Sequence, residues 1–155
     1  SEMCIRDSLC ARAEKSEGDA RRLMRGWGLA ERDAEQVLGK LVRDRFIDDG
    51  RYAEAFVREK LRLSGWGAYK IRTALQRKGI RRELIDAALA QAEGADMGER
   101  LAQMLARKAR TVRTTTPYEL KTKLIRYGLS LGYEYEAVLD AASAMVRETD
   151  TCEDF

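Results

Sequence analysis

The chain has 155 residues and a mass of 17.6 kDa, room for one ordinary domain or a short array of small ones. Hydrophobic residues make up 45% and charged residues 35%, with a net charge of +3 and a single proline, a balance that favours helices around a modest core. No stretch reaches the roughly 20 apolar residues of a membrane span, histidine is absent, and Cys4, Cys10 and Cys152 have no C-x-x-C spacing, so a cytoplasmic protein without metal or cofactor is expected.

Residues 1–8, Ser1 to Ser8, read as a non-native leader, because Ser1 is not an initiator methionine and SEMCIRDS looks like translated sequencing-adaptor read-through. Helices are then expected near Ile5–Lys15, Glu17–Trp27 and Glu31–Arg43, the second capped by Ser16, carrying Ala20, Leu23, Met24 and Trp27, and stopping at Gly28. The next three run near Asp49–Leu61, Ala68–Lys78 and Arg82–Ala92. Asp48 and Asp49 cap the first, which carries Tyr52, Phe56 and Leu61. Gly67 opens the second, whose stripe is Ile71, Ala74 and Leu75 and whose stop is Gly79. The last three are expected near Glu99–Arg110, Pro117–Leu131 and Glu134–Arg147. Thr116-Pro117-Tyr118-Glu119 reads as a capping box with proline at N1, Leu120, Leu124, Tyr127 and Leu131 form the stripe, and Gly132 is the stop unless Gly128 ends the helix earlier.

Sliding the first unit by 51 positions lays Gly28 on Gly79, Met24 on Leu75 and Leu38 on Leu89. A further 53 lays Gly79 on Gly132, Ile71 on Leu124 and Ile85 on Val138. The expected fold is all-α: three tandem three-helix repeats over residues 9–47, 48–94 and 95–148, forming an elongated, curved helical array, with an acidic tail at 149–155.

Charge is segregated along the chain. Arg58 to Arg82 holds nine basic residues against one acid, Arg107 to Arg126 seven against one, and Tyr133 to Phe155 one against seven acids. Such segregation suits a polyanionic or strongly charged partner. Lys70 and Arg77 share a helix face flanked by Arg72 and Lys78, and Lys123 with Arg126 repeats the arrangement. Trp66, between glycines, is either a stacking platform for a base or a ring folded over an inter-helix seam. No nucleophile–base pair, metal cluster or phosphate-cradling glycine loop is visible, which points to binding rather than catalysis.

The stretch from Phe46 to Leu89 resembles the RecX family. It carries Phe46-Ile47-Asp48-Asp49, Arg51-Tyr52, Phe56, Gly65-Trp66-Gly67, Lys70-Ile71-Arg72, Leu75 and Lys78-Gly79-Ile80, with weaker likeness over Ser16–Leu41, Lys123–Tyr127 and Gly132-Tyr133. The resemblance implies a cytoplasmic, non-enzymatic, monomeric regulator of DNA repair and recombination that binds RecA and its filament on single-stranded DNA. It implies inhibition of recombinase, ATPase and co-protease activities, with direct DNA contact left open. On that reading Lys70, Arg72, Arg77, Lys78, Arg81 and Arg82 contact the filament or phosphates, as do Lys121, Lys123 and Arg126. The alternative is a stand-alone helical nucleic-acid-binding protein.

Overall fold

The computed structural model describes residues 4–6, 14–92 and 95–153, and all regular structure among them is helical. The helix expected over Ile5–Lys15 falls mostly outside those residues, as do Cys10 and the end of the acidic tail. The helices are α1 (Glu17–Gly26), α2 (Glu31–Arg43), α3 (Asp49–Glu59), α4 (Ala68–Arg77), α5 (Arg82–Ala92), α6 (Ala95–Thr111), α7 (Pro117–Ser130) and α8 (Tyr135–Glu153), with a π-helical turn at Lys60–Ser64 continuing α3. The chain forms two compact units: residues 1–58 with 74–90, and residues 59–73 with 91–155.

Helix starts follow side-chain chemistry. The Ser16 hydroxyl accepts from the Asp19 N–H at 3.0 Å and the Asp19 carboxylate accepts from the Ser16 N–H at 3.3 Å, a complete capping box. Asp48 accepts from the Arg51 N–H at 3.1 Å, so it caps α3. Asp49 instead reaches back to the Glu17 N–H at 2.8 Å and satisfies a donor at the start of α1. At α7 the box is half made. Thr116 Oγ1 accepts from the Glu119 N–H at 3.1 Å, but the Glu119 carboxylate turns to the Thr115 N–H and hydroxyl instead of to Thr116.

Helix ends show the repeat. Leu29 N–H bonds Met24 O at 3.1 Å, Ile80 N–H bonds Leu75 O at 3.1 Å and Tyr133 N–H bonds Gly128 O at 3.3 Å, each across a glycine with φ between 82° and 93°. These three closures stand 51 and 53 residues apart, matching the sequence slides. A left-handed residue is cheap only for glycine, so the stops are written in the sequence. Gly128 does not end α7: it is buried inside the helix, where a Cβ would meet Val138 Cγ1 at 2.6 Å.

Burial obeys the same periodicity. Ala20 and Met24 of α1 pack with Ala34, Val37, Leu38, Leu41 and Ile47 in the first unit. Leu101 and Leu105 of α6, Leu124 of α7, and Val138 and Ala142 of α8 form a core in the second. Two expected stripe residues miss it: Leu23 is 37% exposed and Trp27 46%. Each lies about 300° round the helix from its buried neighbour, at the edge of the inward face. On α3 the buried pair is Ala53 and Val57, while Tyr52 and Phe56 are half-buried and stack at 6.1 Å between centroids.

Candidate functional site

The basic residues separate into two kinds: those tied to the fold and those presented to solvent. In the first unit, Lys78 belongs to the fold. Its ammonium lies 3.7 Å from Asp19 Oδ1 and 5.7 Å from the Tyr52 ring centroid. Partial burial pushes the Asp19 carboxyl up, but the Ser16 N–H, the Lys78 ammonium and the Arg22 guanidinium outweigh it and hold the group below the usual carboxylate range. Arg77 and Arg81 are exposed, and Arg82 makes a long surface pair with Asp86 at 3.8 Å. Arg77 closes α4 and Arg81 directly precedes α5, flanking the Gly79 stop.

In the second unit, Lys70 lies 4.6 Å from the centroid of Trp66, and Lys60 lies 4.8 Å from the same ring. Trp66 is half-buried, and both cations are held by its π face. Two ammonium groups of the same chain thus lie over the ring that the sequence reads as either a stacking platform or a seam residue. The π turn positions it: Gly65, left-handed at φ 67°, closes the turn, and the Trp66 N–H bonds Lys60 O at 3.1 Å.

Lys123 is engaged too, at 3.2 Å from the Arg113 carbonyl and 3.3 Å from Glu119. The Thr115 N–H, then Lys123 and the Thr115 hydroxyl, lower the Glu119 carboxyl below its ordinary range. Arg72 and Lys121 are half-buried and Arg126 is exposed. The exposed cations of the expected set are therefore Arg77, Arg81 and Arg82 in one unit and Arg126 in the other.

The acidic-aromatic signature around Phe46–Tyr52 also serves the fold. Arg51 pairs with Glu14 at 2.7 Å and donates to the Arg45 and Phe46 carbonyls at 3.1 and 3.2 Å, pinning the α2–α3 turn where Arg45 is left-handed at φ 61°. A polar cleft of about 590 Å³ beside it is lined by Asp48, Asp49 and Arg81 over Ile47 and Leu84. Asp48 and Asp49 are spent on helix starts, and among the described residues no three metal-ligating side chains converge. Among those residues, too, no helix is long and apolar enough to cross a membrane.

In a second junction the start of α4 docks on the end of α7. Gly67 N–H bonds Leu131 O at 2.6 Å and Tyr69 N–H bonds Gly132 O at 3.0 Å. A Cβ on Gly67 would lie 2.6 Å from the Gly132 carbonyl, so only glycine permits the approach. Sequence reasoning read Gly67 as a helix start and could not see that its N–H and its missing side chain serve a partner helix.

Comparison with known proteins fits this architecture. Residues 48–89 match the family described as RecX, second three-helix domain. The regulatory protein RecX of Serratia proteamaculans is 35% identical over 104 residues, covering 67% of this chain and 60% of that protein. That of Clostridium botulinum (strain Eklund 17B) is 28% identical over 134 residues, covering 85% and 62%. The chain thus spans about 60% of the length of these two relatives. The crystal structure of RecX from Lactobacillus salivarius matches over 94% of both chains with a TM-score of 0.82, at 18% identity, a likeness of fold. By its matched domain, its relatives and its helical architecture together, the chain belongs to the RecX family.

Proposed function

We propose that this chain is a non-enzymatic cytoplasmic regulator that binds RecA and its filament on single-stranded DNA, and so restrains recombinase, ATPase and co-protease activities in DNA repair and recombination. The observation that carries the reading is the pair of exposed arginines, Arg77 and Arg81, on either side of the left-handed Gly79. Among the described residues neither makes an ion pair or ring contact like those that occupy Lys78. A polyanionic filament would be met by such cations at little cost in reorganisation. The proposal gives Arg82 in that unit, and Arg72, Lys121 and Arg126 in the other, the same kind of contact, while Lys70, Lys78 and Lys123 act from within the fold.

The test is inhibition of RecA ATPase on single-stranded DNA by the Arg77→Glu/Arg81→Glu variant. Like-charge contact costs enough that the concentration for half-inhibition should rise roughly tenfold or more, with helical content unchanged. Inhibition equal to the parent's would remove these arginines from the interface. Equal affinity for naked and RecA-coated strands would instead favour the stand-alone nucleic-acid binder.

A further inference from the structure

Helices α4 and α7 carry related strings in the same place. Residues 69–79 read YKIRTALQRKG and residues 118–128 read YELKTKLIRYG, with the tyrosine, threonine, leucine, second arginine and glycine shared. Tyr69 and Tyr118 each occupy the second position of their helix, after Ala68 and Pro117. Each tyrosine carbonyl accepts from the threonine hydroxyl four residues on, Thr73 at 2.9 Å and Thr122 at 3.0 Å. The shared leucines, Leu75 and Leu124, are fully buried. Six residues at about 100° each turn the tyrosine about 120° away from that anchor, off the buried stripe. Tyr69 is accordingly 72% exposed and Tyr118 80%.

The core accounts for the leucines but not for the tyrosines, whose rings lie in water. Each has a cation three residues on, Arg72 and Lys121, a neighbour on the same helix face. A single exposed ring with one cation offers far less than the roughly 800 Å² per partner of a stable protein interface. It is enough for one unpaired base, which needs only a ring face, with a cation for the adjoining phosphate.

We infer that Tyr69 and Tyr118 are stacking positions for the bases of a single-stranded nucleic acid, with Arg72 and Lys121 meeting its phosphates. The contact is with the strand itself and does not depend on the recombinase reading. Tyr69 N–H bonds Gly132 O, fourteen residues along the chain from Tyr118 at the other end of α7. A rise of about 1.5 Å per residue separates the backbones that carry the two tyrosines by roughly 20 Å, a span of several nucleotides.

The experiment titrates the full chain onto labelled naked oligothymidylate by fluorescence anisotropy at several salt concentrations. Tyr69→Ala/Tyr118→Ala should weaken binding roughly fivefold per ring with the salt slope unchanged, and Tyr69→Phe/Tyr118→Phe should bind as the parent does. Arg72→Gln/Lys121→Gln should instead lower the slope by about 1.4, the value for two phosphate contacts on a single strand. The inference is overturned if the alanine variant binds like the parent, or if the phenylalanine variant loses as much. It is equally overturned if the chain does not bind naked strands at low salt, or if the alanine loss appears only on RecA-coated strands. The last result would give these rings to a protein partner and leave the proposed function standing.

Discussion

Replacing Gly128 by alanine should destabilise the second unit, although the same change in most helices is favourable. Alanine gains about 1 kcal/mol over glycine in a helix interior. Against that, the new Cβ would lie 2.6 Å from Val138 Cγ1, 2.9 Å from Cγ2 and 3.3 Å from Cβ, all inside the optimal carbon–carbon separation of about 3.5–4.0 Å. Val138 is fully buried on α8 and, being β-branched in a helix, has one strongly preferred rotamer. Turning it exchanges one clashing methyl for the other, so α7 and α8 must move apart. Overpacking of this kind costs about 1–3 kcal/mol, leaving a net loss of up to about 2 kcal/mol once the helix gain is subtracted. Urea unfolding followed by circular dichroism measures it, with Gly39→Ala as the comparison. Gly39 is also mid-helix, but a Cβ there meets nothing within 4 Å, so that variant should gain stability. Trimming the opposing side chain in Gly128→Ala/Val138→Ala should recover part of the loss as a coupling energy. If Gly128→Ala stabilises as much as Gly39→Ala, the close approach of α7 and α8 is wrong.

Lys78→Glu should lower stability by about 1–2 kcal/mol, because it sets a carboxylate beside Asp19 and removes the cation from the Tyr52 ring, whereas Arg77→Glu on the next residue should leave the melting temperature unchanged. Equal effects in scanning calorimetry would erase the division between fold and interface cations. The Asp19 carboxyl is held below its ordinary value of 3.8, so its stabilising contribution is complete above that pH and is lost as the pH falls through the lower folded value. Asp19→Asn should therefore be less stable than the parent at neutral pH and converge with it in strong acid, and a gap that persists unchanged below pH 3 would contradict this.

What could be read in the sequence is what local chemistry decides. Ser16, Asp48 and Thr116 cap helices because their short side chains reach backbone N–H groups within the same turn. Gly28, Gly79 and Gly132 end helices because the left-handed conformation is strained for other residues. What could not be read depends on distant residues. Nothing near Asp49 shows that it serves Glu17, and nothing near Lys70 or Lys60 shows that Trp66 holds both. The basic segments are visible as charge, but their division into structural and presented cations is set by tertiary neighbours. Aromatic residues mislead for the same reason. Trp66, conspicuous between its glycines, is occupied, while Tyr69 and Tyr118 are ordinary in sequence and exposed in the fold.

The two registers of the repeat have one physical origin. The stops of α4 and α7 align at a slide of 53, whereas their starts align at 49, because α7 has 14 residues and α4 has 10. Four residues turn a helix by about 400°, only some 40° beyond a full turn, so the inserted turn leaves the apolar stripe facing inward. Leu124 can therefore match Ile71 in one register and Leu75 in the other, and all three are fully buried. An insertion of two residues would have turned α7 by about 200° and exposed the stripe. A gapless slide finds the register of the stops, where left-handed glycines are irreplaceable. The register of the starts, which carries the tyrosine, cation and threonine, emerges only when the helix lengths are known.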